Sequence, residues 1–271
     1  MTIWSAALLA LFVWWFSTGA ILWVVKTADK RGKGAGLRAT LWGLPMLGVG
    51  LWGFFATLSD ISIFGACVAF LSALCIWGWI ELAFLTGVIT GPNTYPLPDN
   101  TREWERFIRA WGTLAYHEML LVGTLIVLFL VAGDAPNMFG VWTFAVLFTP
   151  RISAKLNLYL GVPRINVDFL PAALSHIATY FRIRPLNWLF PISVTALTFA
   201  AACWLERIYT AQTDGQLIGF SLLTAITALA LLEHWVMVLP IPDEKLWRWM
   251  LPAPSQPTPD AKTLKGGHHG L

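Results

Sequence analysis

The chain has 271 residues, 57% hydrophobic and 12% charged, whereas soluble domains run near about 45–50% and about 25%. With 16 Trp and 17 Phe, this balance excludes a soluble globular domain, a disordered chain and a nucleic-acid binder. A formal charge of +3 is too small to signal a polyanionic partner, so where the positive residues sit matters more than their sum. The sequence is that of an integral membrane protein whose first partner is lipid. Cys67, Cys75 and Cys203 lie far apart in apolar runs, with no CxxC and no His spacing near them. They read as buried thiols rather than disulfides or a zinc site.

A spanning helix needs about 20 mostly apolar residues. The first candidate, residues 3–25, has no basic run ahead of it and no small-residue cleavage site behind it, which predicts a retained span rather than a signal peptide. A basic loop follows with Lys26, Lys30, Arg31, Lys33 and Arg38. The second span is predicted over 40–59, rich in Gly and interrupted by Pro45, and the third over 61–90 after a tight turn at Asp60. The turn-rich stretch GPNTYPLPDN then breaks the pattern. Thr101 is the expected cap of a fourth helix over 104–132, entering through Arg102, Arg106 and Arg109. After the turn GDAPN, a fifth span over 138–160 meets Pro150 and Arg151 and is predicted to be short or partly interfacial.

Residues 164–187 alternate basic and apolar positions, which predicts a short amphipathic helix over 168–181 at the cytoplasmic surface. The sixth and seventh spans are expected over 186–205 and 217–239, stopped by Pro240 and Pro242. The fold class is therefore all-α: a bundle of seven transmembrane helices over 1–251, with a disordered cytoplasmic tail over 252–271. With the N-terminus outside, 17 of the 18 Lys and Arg fall on inner segments and Arg207 alone falls outside. The positive-inside rule then predicts a bacterial inner-membrane protein with a periplasmic N-terminus and a cytoplasmic C-terminus.

Most of the acidic residues fall in loops; the exceptions, with the histidines beside them, are Glu81 in the third span, His117 and Glu118 in the fourth, and Glu233 and His234 in the seventh. A charged group near mid-helix costs about 2.5–3.5 kcal/mol on insertion scales, so such residues face protein and have partners. At about 1.5 Å per residue, Glu81 lies roughly 13 Å from the end at Thr90, His117 roughly 12 Å past Arg109 and Glu233 roughly 9 Å before Leu239. The expected result is one layer of carboxylates and imidazoles in the cytoplasmic half. On the fourth helix Arg102, Arg106, Arg109, Thr113, His117 and Thr124 form a polar stripe, and on the seventh Ser221, Thr224, Thr227 and His234 share a broad sector.

Carboxylates with imidazoles suit iron, manganese or zinc, and di-iron bundles take four carboxylates and two histidines. Glu81, His117, Glu118, Glu233 and His234 approach that set, with His176 on the amphipathic segment as a further candidate. The spacing departs from it, because neither Glu-x-x-His nor HExxH occurs. A structural network of Glu–His and Glu–Arg pairs explains the same residues, as does a proton path, or a pigment ligated by His117 or His234. His268-His269 reads as solvated tail.

The run from Ser153 through Lys155, Asn157 and Gly161-Val162-Pro163-Arg164-Ile165-Asn166, where the fifth span meets the inner surface, reads either as a helix end with a Gly-Pro stop or as a headgroup or partner contact. With Asp168-Phe169-Leu170-Pro171, Ser175-His176 and Tyr180-Phe181, it resembles the signature of the PuhE family, photosynthetic complex assembly protein 2 of phototrophic proteobacteria. Trp14-Trp15-Phe16-Ser17-Thr18-Gly19, Gly87-Val88-Ile89-Thr90-Gly91-Pro92 and Tyr116-His117-Glu118 resemble it as well. The likeness extends over about residues 1–250, all the spans. It implies a gene set shared with the photosynthetic reaction centre, and a role in assembling reaction centre and core antenna or in modulating bacteriochlorophyll synthesis. Partners would be those subunits or pigment-synthesis enzymes. The family carries more acidic residues where this chain has Ile165-Asn166-Val167-Asp168. Three mechanisms stay open: an assembly factor that docks through its helices, a metal-dependent membrane oxidoreductase acting on a tetrapyrrole or another lipid-soluble substrate, and a bacteriochlorophyll carrier.

Overall fold

A computed structural model describes residues 1–165, 167 and 170–239. Among these residues it has nine α-helices and one 3₁₀ helix, and no strand beyond a single bridge between Val162 and Ile183. Six stretches are long and apolar enough to cross a membrane: Ile3–Arg31, Ala35–Thr57, Ile63–Leu85, Ala115–Ala132, Leu189–Tyr209 and Asp214–Val236. The chain is an all-helical, multi-pass membrane protein. The tail expected over 252–271 lies outside the described residues, as do Asn166 and Asp168 of the motif above.

Helix α1 (Ile3–Arg31) starts at a capping box, Thr2 and Ser5 each accepting the other's backbone N–H. It runs past the expected end at Val25, so that Lys30 and Arg31 fall in the last turn, where the helix dipole favours cations. The single span expected over 40–59 is the crossing stretch Ala35–Thr57, composed of α2 (Ala35–Trp42) and α3 (Leu44–Thr57), which meet at Gly43. Pro45 sits in the first turn of α3, where its missing N–H would be unsatisfied anyway. Helix α4 (Ile63–Leu85) closes in a Schellman turn: Gly87, at φ 78, donates to Phe84 O and Val88 donates to Ala83 O.

The helix expected over 104–132 is broken into α5 (Glu103–Gly112) and α6 (Ala115–Ala132). The break is filled by the loop after α4. Asn93 N–H donates to Gly112 O at 3.0 Å, Asn93 Nδ2 donates to Arg109 O at 2.9 Å, and His117 N–H donates to Thr90 O at 3.0 Å. Backbone groups orphaned at two helix ends thus find partners in one inserted loop. Gly91 is required at the crossing, because a Cβ there would lie 2.1 Å from Gly112 O. Arg102, not Thr101, is the N-cap of α5; the Thr101 hydroxyl turns back to Pro98 O at 2.6 Å.

Helix α7 (Phe139–Leu160), expected to be short or interfacial, has 22 residues, roughly 33 Å at about 1.5 Å per residue. It falls outside the six apolar stretches because Arg151, Ser153, Lys155 and Asn157 interrupt it. It nevertheless runs the full length of the bundle. At its start Asn137 donates to Leu58 O and Asp60 O; just past its end Val162 N–H donates to Arg182 O. The expected amphipathic α-helix is a 3₁₀ helix, Ala172–Tyr180, whose buried Leu174, Ile177 and Tyr180 follow the three-residue period of that geometry. Leu174 and Ile177 pack with Phe84 and Leu114, so the segment closes one end of the bundle instead of lying free at a surface. Helices α8 (Leu189–Tyr209) and α9 (Asp214–Val236) complete the fold.

Half of the most apolar window of α4 and of α9 is buried, against 17% in α1 and α8, which makes α4 and α9 central. Lipid is as apolar as Leu, so helix association rests on close packing of small residues and on polar contacts. Ala6 and Ala10 of α1 meet Ile218, Leu222 and Ile226 of α9, and Gly50 and Gly53 of α3 lie against Ser72 of α4. Of the three thiols read as buried, Cys67 and Cys75 are half-buried and Cys203 is exposed on α8, because a bilayer accepts an apolar thiol on an outer helix face.

Candidate functional site

Helix α7 carries two polar stripes, each built on the i, i+4 spacing that puts side chains on one face. Arg151, Lys155 and Tyr159 form the first. The Arg151 guanidinium bonds the Glu81 carboxylate of α4 at 3.0 Å, and Lys155 is paired with Glu118 of α6. One turn further on, Tyr159 offers its carbonyl to Arg106 at 3.1 Å and its ring to the same guanidinium, 4.0 Å from the centroid. Arg106 also donates to Tyr180 O, so α5 and the 3₁₀ helix are tied to α7 through one buried arginine.

His117 is fully buried, stacked on Phe84 with ring centroids 4.2 Å apart. Its Nε2 lies 3.8 Å from Glu81 Oε1 and 4.0 Å from Glu118 Oε1, beyond hydrogen-bond reach. Neither ring nitrogen has a hydrogen-bond partner, nor do Glu81 Oε1 and Glu118 Oε2. Because the fourth helix is broken, His117 and Glu118 lie in the first turn of α6 and not in the interior of a continuous helix. Glu118 there complements the positive N-terminal end of the helix dipole. The predicted stripe from Arg102 to Thr124 is accordingly divided between two helices.

The second stripe of α7 is Ser153 and Asn157. Ser153 Oγ lies 2.9 Å from Nε2 of His234, whose Nδ1 lies 2.8 Å from Ala230 O. A carbonyl can only accept, so Nδ1 carries the proton and the Ser153 hydroxyl donates to Nε2. Fully buried Asn157 donates to Ser193 Oγ of α8 and accepts from Asn187, whose Oδ1 in turn accepts the first amides of α8, Leu189 and Phe190. One helix thus holds α4, α6, α8 and α9 by side-chain hydrogen bonds.

Of the six expected residues, Glu81, His117 and Glu118 meet around one point and His234 sits on the other face of α7. Glu233 is on the outer face of α9, hydrogen-bonded by Trp14 and attracted by Arg151. His176 lies apart beside the Asn93 backbone, and burial holds its pKa below the ordinary value. The essential partners Arg151 and Lys155 were absent from the expected set; their four-residue spacing beside Tyr159 was the signal for them. At the exposed rim, the bond from Arg182 holds the Glu103 carboxyl below the usual carboxylate range.

Among the described residues, no three His, Cys, Asp or Glu side chains are arranged as a metal-binding set. Around His117 each carboxylate is already matched by a cation, so a divalent ion would bring charge with no counter-charge left for it. Both nitrogens of His234 are engaged, and His117 is enclosed on all sides, so neither presents an open position to a macrocycle. The contacts of α7 link α4, α6, α8 and α9.

No solved structure matches the chain. It is 55% identical over 254 residues to the "Uncharacterized 30.4 kDa protein in puhA 5'region" of Rhodobacter capsulatus, covering 94% of this chain and 93% of that protein. The family model described as "Protein of unknown function (DUF3623)" matches residues 1–258, and the chain belongs to that family.

Proposed function

We propose that this protein is an inner-membrane factor in photosynthesis, acting in assembly of reaction-centre and core-antenna complexes or in the bacteriochlorophyll supply to them, and that it acts by docking. The observation that carries the docking reading is the pairing of each buried carboxylate near His117 with a cation of α7. The ionisable layer is consumed in holding the bundle together, which leaves the outer apolar helix faces for a partner. The place in photosynthesis is supported by the relative named for the puhA 5' region, together with the motif likeness to the PuhE family.

In this reading α7 is a seventh crossing, and the N-terminus is periplasmic. Every described Lys and Arg except Arg207 lies at or toward the end of the bundle that holds α5 and the 3₁₀ helix, which the positive-inside rule makes cytoplasmic.

Deletion of the gene in a phototrophic host tests the proposal. Pigment content or the yield of reaction-centre and antenna complexes falls, while respiratory growth is unchanged; spectra and phototrophic growth equal to wild type at low and high oxygen would reject it. Metal analysis of protein purified in mild detergent separates docking from the oxidoreductase alternative. Stoichiometric metal that disappears in His117→Ala would favour a centre built on Glu81, His117 and Glu118.

A further inference from the structure

One cavity among the described residues is lined by none of the ionisable side chains around His117. It is a groove of about 540 Å³ between the C-terminal half of α1 and helix α2, within the about 300–1,000 Å³ usual for ligand sites. Its walls are Ile21, Val24, Met46 and Leu82, with Trp23 and Trp42 at the margin and Arg31 and Arg38 at the mouth. The two tryptophans are 61% and 84% exposed, as expected of indoles at headgroup depth. Both arginines are exposed, and among the described residues neither has an ion pair.

The fold itself keeps the groove open. Helix α2 is pinned to α4: Thr40 and Thr86 hydroxyls lie 2.9 Å apart, and the Trp79 indole donates to Thr40 O at 3.1 Å. A Cβ on Gly36 would lie 2.7 Å from Thr86 O, so α2 rests backbone to backbone on the C-terminal end of α4. Helices α2 and α3 meet at Gly43, and α1 runs on to Arg31 beside α2. The space left is apolar along its length and doubly cationic at one end.

We propose that this groove binds an anionic phospholipid of the surrounding leaflet, its acyl chain along the apolar wall and its phosphate against Arg31 and Arg38. Guanidinium forks bind phosphate oxygens bidentately. Two arginines at one end of an apolar groove favour an anionic amphiphile over a zwitterionic one. An uncharged helix from another protein would use the wall and leave both arginines unpaired.

The test is native mass spectrometry of the full-length protein in mild detergent, titrated with phosphatidylglycerol and with phosphatidylcholine. Arg31→Gln/Arg38→Gln lowers phosphatidylglycerol affinity by roughly thirtyfold, from the free energy per basic residue near anionic lipid, and leaves phosphatidylcholine unchanged. Arg207→Gln, at the other end of the bundle, changes neither. Ala39→Phe, which fills the wall, weakens both lipids while circular dichroism shows the helices intact. Equal binding of the two lipids by the wild type would overturn the proposal. So would phosphatidylglycerol binding by the double variant within about twofold of wild type, or no effect of Ala39→Phe.

Discussion

Lys155 illustrates how one side chain can be tolerated inside a membrane bundle only because of another. Its ammonium is paired with a Glu118 carboxylate that is 2% exposed, and one turn earlier Arg151 does the same for Glu81. Lys155→Met leaves Glu118 charged with no counter-ion, and removing one member of a buried pair costs about 3–5 kcal/mol. The melting temperature in detergent should fall accordingly, and Lys155→Met/Glu118→Gln should recover most of it, because replacing the whole pair by neutral groups is close to neutral. A double variant as unstable as the single one would show that the pair does not act as a unit. His176 provides a pH dependence. Burial holds its pKa below 6.5, so the folded state binds fewer protons than the unfolded chain. The stability of neutral His176 is therefore fully present above its unfolded pKa and is lost as pH falls from there toward the folded value. Melting measured between about pH 7.5 and about pH 5.5 should show a decline that His176→Gln makes shallower.

At the scale of elements, the junction of α5 and α6 depends on the loop Thr90–Asn93. Periodicity alone supports one continuous helix there, since nothing between Glu103 and Ala132 is a Pro and the polar stripe continues in register. The break is an effect of insertion: three hydrogen bonds from a distant loop replace intrahelical ones. Gly91→Ala should dislodge that loop, since its methyl meets Gly112 O and the amide of Leu114. Overpacking of this kind costs about 1–3 kcal/mol, and hydrogen exchange should speed up at Asn93, Thr113 and His117 ahead of the helix interiors. Unchanged exchange at those amides would mean the loop does not hold the break. Helix α7 is the converse case. Its hydropathy leaves it outside the six apolar stretches, yet Asn137 and Val162 anchor it at opposite ends and Arg151, Ser153, Lys155 and Asn157 all have partners.

Over the whole molecule the connections alternate between two ends. Met1 Sδ lies 3.7 Å from Cys67 Sγ, Asn137 bonds Asp60 O, and Gly215 packs on Ile61 O, so these turns share one end. Asp29 accepts from Ala172 N–H and Arg164 donates to Leu239 O at the other. Reporter fusions after Lys33, Arg109 and Arg184 should therefore report cytoplasm, and fusions near Asp60, Asp134 and Asp214 should report periplasm. A periplasmic signal after Arg184 would mean α7 does not cross, and the count of seven would be lost.

Composition and hydropathy by themselves determined that this chain is a helical membrane protein and where most of its helices lie; they also called for shelter of Glu81, His117, Glu118, Glu233 and His234, because a bilayer penalises every unpaired charge and amide, and of these Glu233 alone lies on an outer helix face. The basic residues at one end were equally legible, as they depend only on order along the chain. Tertiary structure alone decided the partners. A Lys or Arg at i, i+4 on α7 looks the same in sequence whether it faces headgroups or a buried carboxylate, and only the crossing of α7 against α4 and α6 distinguishes the two. The same holds for the break at Thr113-Leu114, the 3₁₀ geometry of Ala172–Tyr180 and the groove beside Arg31 and Arg38. Each is set by contacts between segments far apart in the chain, which local periodicity does not encode.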